Sequence, residues 1–371
     1  MKIALFLLLF CCQLIPSIAQ DGNPSKESFT NKADALLVKA VQAGECIGIA
    51  AGFSIEGATK WQGGAGHKDL EHRLDFDTQT LTRIASITKP MTAIAIMQLY
   101  EQGKIELDKP IQEYLPDFPV KKEGAITIRH LLTHSSGIDD YKSDKEQENK
   151  KNYPTLADAV KVFKDRELIA EPGTAFHYST YGYVVLGLLL EKVSGMRYEA
   201  YLKKNIWDKS GMSHTGIEYS DTSYSNKSLL YHRNSKGKIK EADPTNLSDR
   251  IPGGGVYSCV ADMLQFGDAV LNYSLIKEST LKMMLENPDL KTQGNGYGFG
   301  WYLYGENPKY GNVFGHNGTQ TGASTFLMLL PEQKTTIVVL SNTSGAMQAV
   351  SNITIQLFDV AAEANNSGQK D

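Results

Sequence analysis

The run Met91-Thr92-Ala93-Ile94-Ala95-Ile96-Met97 is apolar on nearly every side, so the chain must surround it: a helix of this kind is buried, not laid on a surface. It opens with Ile84-Ala85-Ser86-Ile87-Thr88-Lys89, followed by Pro90, which a first helical turn tolerates. Ser86 and Lys89 stand at i and i+3 and share one helix face, a turn apart. That spacing sets an amine beside a hydroxyl near a helix N-terminus, where free N–H groups and the dipole favour negative charge. A serine hydroxyl is a weak nucleophile until a neighbouring base takes its proton, and Lys89 is placed to help.

The rest of the chain is long enough to build such an enclosure. It has 371 residues, 41% hydrophobic and 22% charged, an ordinary globular composition. It carries no internal repeat and no long low-complexity linker, which favours two closely packed parts in one unit. A net charge of -4 with no strongly basic block gives nucleic-acid binding no electrostatic footprint. Met1-Lys2, the apolar Ile3 to Phe10, and Ser17-Ile18-Ala19 read as a cleaved secretory signal over residues 1–19, too short to span a bilayer. Cys11 or Cys12 as a lipid attachment point fits less well, because bulky residues precede them. No transmembrane helix is expected after cleavage. Cys46 and Cys259 then remain, and two buried thiols are expected in preference to a disulfide.

Strand signals gather at both ends of the chain. Residues 28–43 have amphipathic helical spacing, Cys46 to Ser54 is β-rich, and Thr59 to Gly66 resumes an extended pattern after the Glu56-Gly57 turn. Residues 67–83 read as polar and irregular. From the Ser86 helix, ending near Gly103, to about residue 290 the signals are mostly helical, including Tyr183 to Val193 and Ala261 to Leu271. Lys142 to Lys151 reads as a solvated charged run, residues 219–247 as a polar surface excursion, and Pro252-Gly253-Gly254-Gly255 as a tight turn. Strands return at Tyr297 to Tyr304, Asn312 to Gly315, Ser324 to Leu330 and Thr335 to Leu340, and a last helix covers Ala346 to Ala362. The reading is an α+β fold. An antiparallel sheet is formed by both chain ends (about 28–84 and 295–365), flanked by helices, with a mainly helical insertion (about 85–290), all within a single domain over 20–371. The cleft between the two parts is the natural site.

Two further stretches supply what the Ser86–Lys89 pair needs. In Phe176-His177-Tyr178-Ser179-Thr180, Tyr178 could share the Ser86 proton with Lys89, since a phenol beside a cation ionises more easily. In Gly315-His316-Asn317-Gly318-Thr319, Gly318 would let a substrate approach the backbone, and the N–H of Thr319 could pair with that of Ser86 as an oxyanion hole. His130 and His134 have i,i+4 spacing, but Leu131 stands where a zinc protease has its glutamate, so both read as structural. There is no Gly-x-Ser-x-Gly elbow and no dinucleotide fingerprint.

Ser86-Ile87-Thr88-Lys89, Tyr178-Ser179-Thr180 and His316-Asn317-Gly318 occur in the order of the three motifs of the penicillin-recognising serine hydrolases. The chain resembles that superfamily of class C β-lactamases, D-alanyl-D-alanine carboxypeptidases and related esterases. Gly103 to Asp108, His130 to Gly137 and Gly253 to Ser258 resemble its flanking segments, and the similarity runs from about residue 30 to 345. The resemblance implies a β-lactamase/transpeptidase-like fold and Ser86 as the acylated nucleophile. Lys89 and Tyr178 would share the proton transfers, and His316 would be a third-motif cation or hydrogen-bond donor. It implies no metal and no cofactor, and a peptide or small-molecule substrate. Thr180 departs from the usual asparagine; it could hold Lys89 but would grip a substrate amide less well. With His316 in the third motif, this leans away from a dedicated β-lactamase and towards D-amino-acid peptides, small amides or esters. A class C-like β-lactamase is the alternative within the enzyme class, and a non-catalytic penicillin- or peptidoglycan-binding or sensor protein is the reading from another class.

Overall fold

The computed structural model describes residues 24–288, 290 and 296–367, so the signal-like residues 1–19 lie outside the described residues. A seven-stranded antiparallel sheet forms the frame. Its strands are β1 (Gly48–Ile55), β2 (Ala58–Asp69), β3 (Leu74–Asp75), β4 (Tyr302–Asn307), β5 (Gly311–Gln320), β6 (Ala323–Leu330) and β7 (Thr335–Ser341), in the order β3-β2-β1-β7-β6-β5-β4. The first and last portions of the chain meet at its centre, where β1 pairs with β7 from Ile49↔Ser341 to Ile55↔Thr335. The sheet built by both chain ends is therefore what the molecule has.

The central strands are buried on both faces, which is why they read as continuous apolar runs. Alternate side chains go to opposite sides. Phe326, Met328, Ile337 and Val339 pack with Phe29, Leu37, Val350 and Leu357 from the terminal helices α1 (Pro24–Gln42) and α5 (Met347–Ser367). Leu327, Leu329, Val338 and Leu340 face the other way, onto a core shared with α2 (Thr88–Glu101), α3 (Thr180–Ser194) and α4 (Val260–Leu271). Every residue of α2 from Thr88 to Leu99 is buried, as a helix apolar all round must be.

Several boundaries differ from the sequence reading, for identifiable reasons. β4 begins at Tyr302, five residues after the expected start, and β5 runs on to Gln320, placing His316-Asn317-Gly318 inside a strand. Residues 67–83 are not wholly irregular, since β2 reaches Asp69 and β3 pairs with it. The polar stretch 219–247 carries the strands Tyr231–Arg233 and Ile239–Glu241, the first of which pairs in parallel with Thr343–Ser344. Its polarity is spent on buried hydrogen bonds as well as on solvent, since Thr245 and Asn246 are buried. Cys46 and Cys259 are both buried and unpaired.

Candidate active site

Ser86 sits in a tight 3-10 turn, Ala85–Ile87, that runs straight into α2. Ala85 takes a left-handed backbone conformation, φ +49°, which a non-glycine residue adopts only when its surroundings hold it there. Two contacts do so: Thr88 Oγ1 donates to the Ala85 carbonyl at 2.7 Å, and Thr325 Oγ1 of β6 donates to the Ile84 carbonyl at 3.0 Å. Gly318 of β5 lies against the same turn. A Cβ there would come within 2.4 Å of the Ile84 carbonyl oxygen and 3.0 Å of Ala85 Cβ. The glycine thus serves close packing of the third-motif strand on the nucleophile segment.

Lys89 is fully buried, with its amine 3.0 Å from Ser86 Oγ and donating to the Gly253 carbonyl at 2.8 Å. The Gly-rich segment is a one-turn helix, Ile251–Gly254, wedged against Thr180: a Cβ on Gly253 would sit 2.6 Å from Thr180 Cγ2. Lys89 is therefore held by a backbone oxygen. Thr180, which could have held it, instead donates its N–H to Asp140 Oδ1 at 3.2 Å and has its hydroxyl beside Tyr141. Among the described residues no carboxylate oxygen lies within 4.0 Å of the Lys89 amine. Burial lowers its pKa to about 7, against the opposing pull of Asp140 and with a smaller push from Arg250. Near neutral pH a large fraction is free amine, able to accept the Ser86 proton.

Tyr178 lies just before α3, whose first turn is capped by Ser179 Oγ accepting from Gly182 N–H at 3.1 Å. Its hydroxyl faces Ser86, which pulls its pKa down against burial, and the Lys89 amine lies 4.7 Å from its ring centroid. Easier ionisation of this phenol is not what results. Burial holds its pKa well above the usual phenol range, so Tyr178 is a neutral hydroxyl that can relay a proton but is not an anionic base.

His316 completes the cluster, its ring centroid 6.3 Å from that of Tyr178, but it is no cation. Burial first, and the neighbouring Lys89 second, bring its pKa down to about 3. Nδ1 lies 2.6 Å from the Asn317 carbonyl, which can only accept, so the proton is on Nδ1 and Nε2 accepts from the Tyr297 hydroxyl at 3.0 Å. Thr319 is exposed on the stretch of β5 beyond Gly315, where β4 no longer pairs and β6 is the one remaining strand neighbour among the described residues. Ser86, Lys89, Tyr178, Thr180, His316, Gly318 and Thr319 are thus gathered where β5, α2 and the start of α3 converge.

Sequence reasoning missed Asp140, half-buried beside Lys89 and raised in pKa by burial, and the carbonyl of Gly253. It also set His134 apart from the site. His130 is structural, a member of the capping box of the Ile128–Leu132 helix. The ring of His134, however, lies 4.2 Å from that of Tyr178. For metals, His214, Cys259 and Asp262 bring ligand atoms within 4.8 Å of one another. Asp262 Oδ2 there already accepts from the His214 N–H and the Thr215 hydroxyl, and burial raises the Cys259 thiol to about 12.

A half-buried serine beside a fully buried lysine, with a phenol facing both and set beside an antiparallel sheet, defines a serine hydrolase of the β-lactamase and penicillin-binding-protein type. The chain belongs to the Beta-lactamase family, whose model matches residues 33–362. It is 29% identical over 378 residues to the human mitochondrial serine beta-lactamase-like protein LACTB, covering 77% of this chain and 69% of that protein. It is 30% identical over 300 residues to penicillin-binding protein 4* of Bacillus subtilis, covering 75% and 64%. Among solved structures, the octameric penicillin-binding protein homologue of Pyrococcus abyssi superposes with a TM-score of 0.77 at 28% identity, over 91% of this chain and 77% of that one. Among the described residues no helix is long and apolar enough to cross a membrane.

Proposed function

We propose that the protein is an exported acyl-transfer hydrolase that forms an ester on Ser86 Oγ and releases it to water. The carrying observation is the Lys89 amine, fully buried, brought to a pKa of about 7 and 3.0 Å from Ser86 Oγ. Lys89 takes the serine proton as the acyl carbon is attacked. Tyr178 passes a proton to the departing amine or alcohol, and in the second half-reaction the same groups activate water. The N–H groups of Ser86 and Thr319 stabilise the tetrahedral oxyanion.

Neutral substrates fit best. Among the described residues, the positive charges that bear on Lys89, His316 and Tyr178 are Lys89 itself and Arg250. Arg250 is already spent on Asp249, at 2.7 and 3.0 Å, and on the Glu146 carbonyl. With His316 uncharged, little is left to bind a free carboxylate, which supports small esters and amides, including those of D-amino acids, over peptides with an ionised terminus. The test is labelling with a fluorophosphonate and a fluorescent penicillin, then turnover of esters, D-amino-acid amides, D-peptides and cephalosporins. An adduct on Ser86 that Ser86→Ala abolishes supports the reading. Rapid penicillin release would make the protein a β-lactamase, and absence of any adduct would make it a binding protein.

A further inference from the structure

We propose that His134 is a positioning residue that clamps Tyr178 against Ser86 from both sides along the chain. The carbonyl of His134 accepts the N–H of His177 at 2.7 Å, and its Nδ1 accepts the N–H of Ser179 at 3.1 Å. The residues immediately before and after Tyr178 are thus tied to one side chain and its own backbone. The imidazole also lies on the phenol itself, with ring centroids 4.2 Å apart and planes inclined by 34°. Tyr183 and Tyr297 close around the same ring at 5.0 and 4.7 Å.

The local chemistry of His134 is unfavourable by itself, which points away from a simple turn. Its backbone is left-handed, φ +55°, where glycine or asparagine would be more comfortable. Because Nδ1 accepts, the ring proton sits on Nε2, and that buried atom has no hydrogen-bond partner among the described residues. Burial holds the ring neutral, which keeps the Nδ1 lone pair available to Ser179. A strained backbone and an unpaired donor at one buried residue persist when the surrounding structure over-determines them. Here the return is the fixed direction of the Tyr178 hydroxyl.

The proposal rests on Tyr178 being the proton relay, and a double-mutant cycle separates the two ideas. The rate of hydrolysis of an alkyl ester, whose departing alcohol needs the proton that a fluorophosphonate's fluoride does not, is measured in the wild type, His134→Ala, Tyr178→Phe and the double variant, alongside melting curves. Tyr178→Phe is expected to lower the rate by about 10²-fold or more, and His134→Ala by a large part of that. In the Tyr178→Phe background His134→Ala should then cost less than about twofold, because its effect passes through the missing hydroxyl. Losses that multiply would overturn the proposal while leaving the relay intact. A silent Tyr178→Phe would remove the relay and the proposal together. Should His134→Ala not fold, His134→Asn keeps the left-handed backbone and a side-chain acceptor, and the same cycle with it decides the matter. Partial recovery of rate in His134→Asn is the further expected result.

Discussion

Arg83 and Lys89 are neighbours in sequence, both cationic by type and both fully buried, yet the protein treats them in opposite ways. Arg83 is saturated. Its guanidinium pairs with Glu218 at 2.7 Å and donates to Thr245 Oγ1, the Thr245 carbonyl and the Thr321 carbonyl. Those bonds tie the strand leading into the nucleophile turn to the β5–β6 turn and to the loop around residue 245. Lys89 has one carbonyl, one serine and no ion-pair partner within 4.0 Å among the described residues. A satisfied buried cation is architecture; an unsatisfied one surrenders its proton near neutral pH and becomes a base. The difference lies in the neighbours, not in depth.

Removing each cation is the most severe way to break this contrast. Lys89→Met should lower Ser86 labelling by about 10²–10⁴-fold while leaving a folded protein, as read by labelling kinetics and melting together. Arg83→Met should act on the other axis, costing about 3–5 kcal/mol of stability in urea melts because Glu218 is left buried with too little compensation. A normal melt for Arg83→Met would end the comparison. A milder probe is pH. Protonated Lys89 cannot take the serine proton, so the labelling rate should fall tenfold per unit below a pH of about 7 and level off above it. Asp140 opposes the drop in the Lys89 pKa, so Asp140→Asn should move that acid limb to lower pH without abolishing the plateau. The smallest effect is on stability. The unfolded chain holds the Lys89 proton up to about 10.5 and the folded one only to about 7, so stability should rise with pH across that window. In Lys89→Met, pH-dependent melts should show that part of the slope gone.

What the sequence made legible was whatever a local pattern can carry. The serine–lysine spacing, the all-round apolar α2, the strands at both chain ends and the order of the three motifs needed no knowledge of long-range contacts. The rest depended on which distant segments meet. Asp140 is one of two adjacent aspartates in a polar stretch, and nothing local shows that its carboxylate faces Lys89 and Thr180. Gly253 contributes a carbonyl, which every residue has, so only the wedge against Thr180 reveals its use. The family resemblance offered His316 as a cation or a hydrogen-bond donor, and full burial removes the first of these. Tyr178 is similar: a nearby amine favours ionisation, but desolvation outweighs it. Gly318 read as a site of close approach, and the turn that carries Ser86 is one neighbour that approaches it.

The pairing of β1 with β7 has a consequence for synthesis. The amino-terminal hairpin must wait with one open edge until residues 335–341 have left the ribosome, about 15–60 s later at ordinary translation speeds. An apolar strand left unzipped that long invites association with other chains, so a nascent molecule of this design would depend on holding factors. The Ser86 turn waits in the same way, since β5 and β6, which brace it, are made long after it.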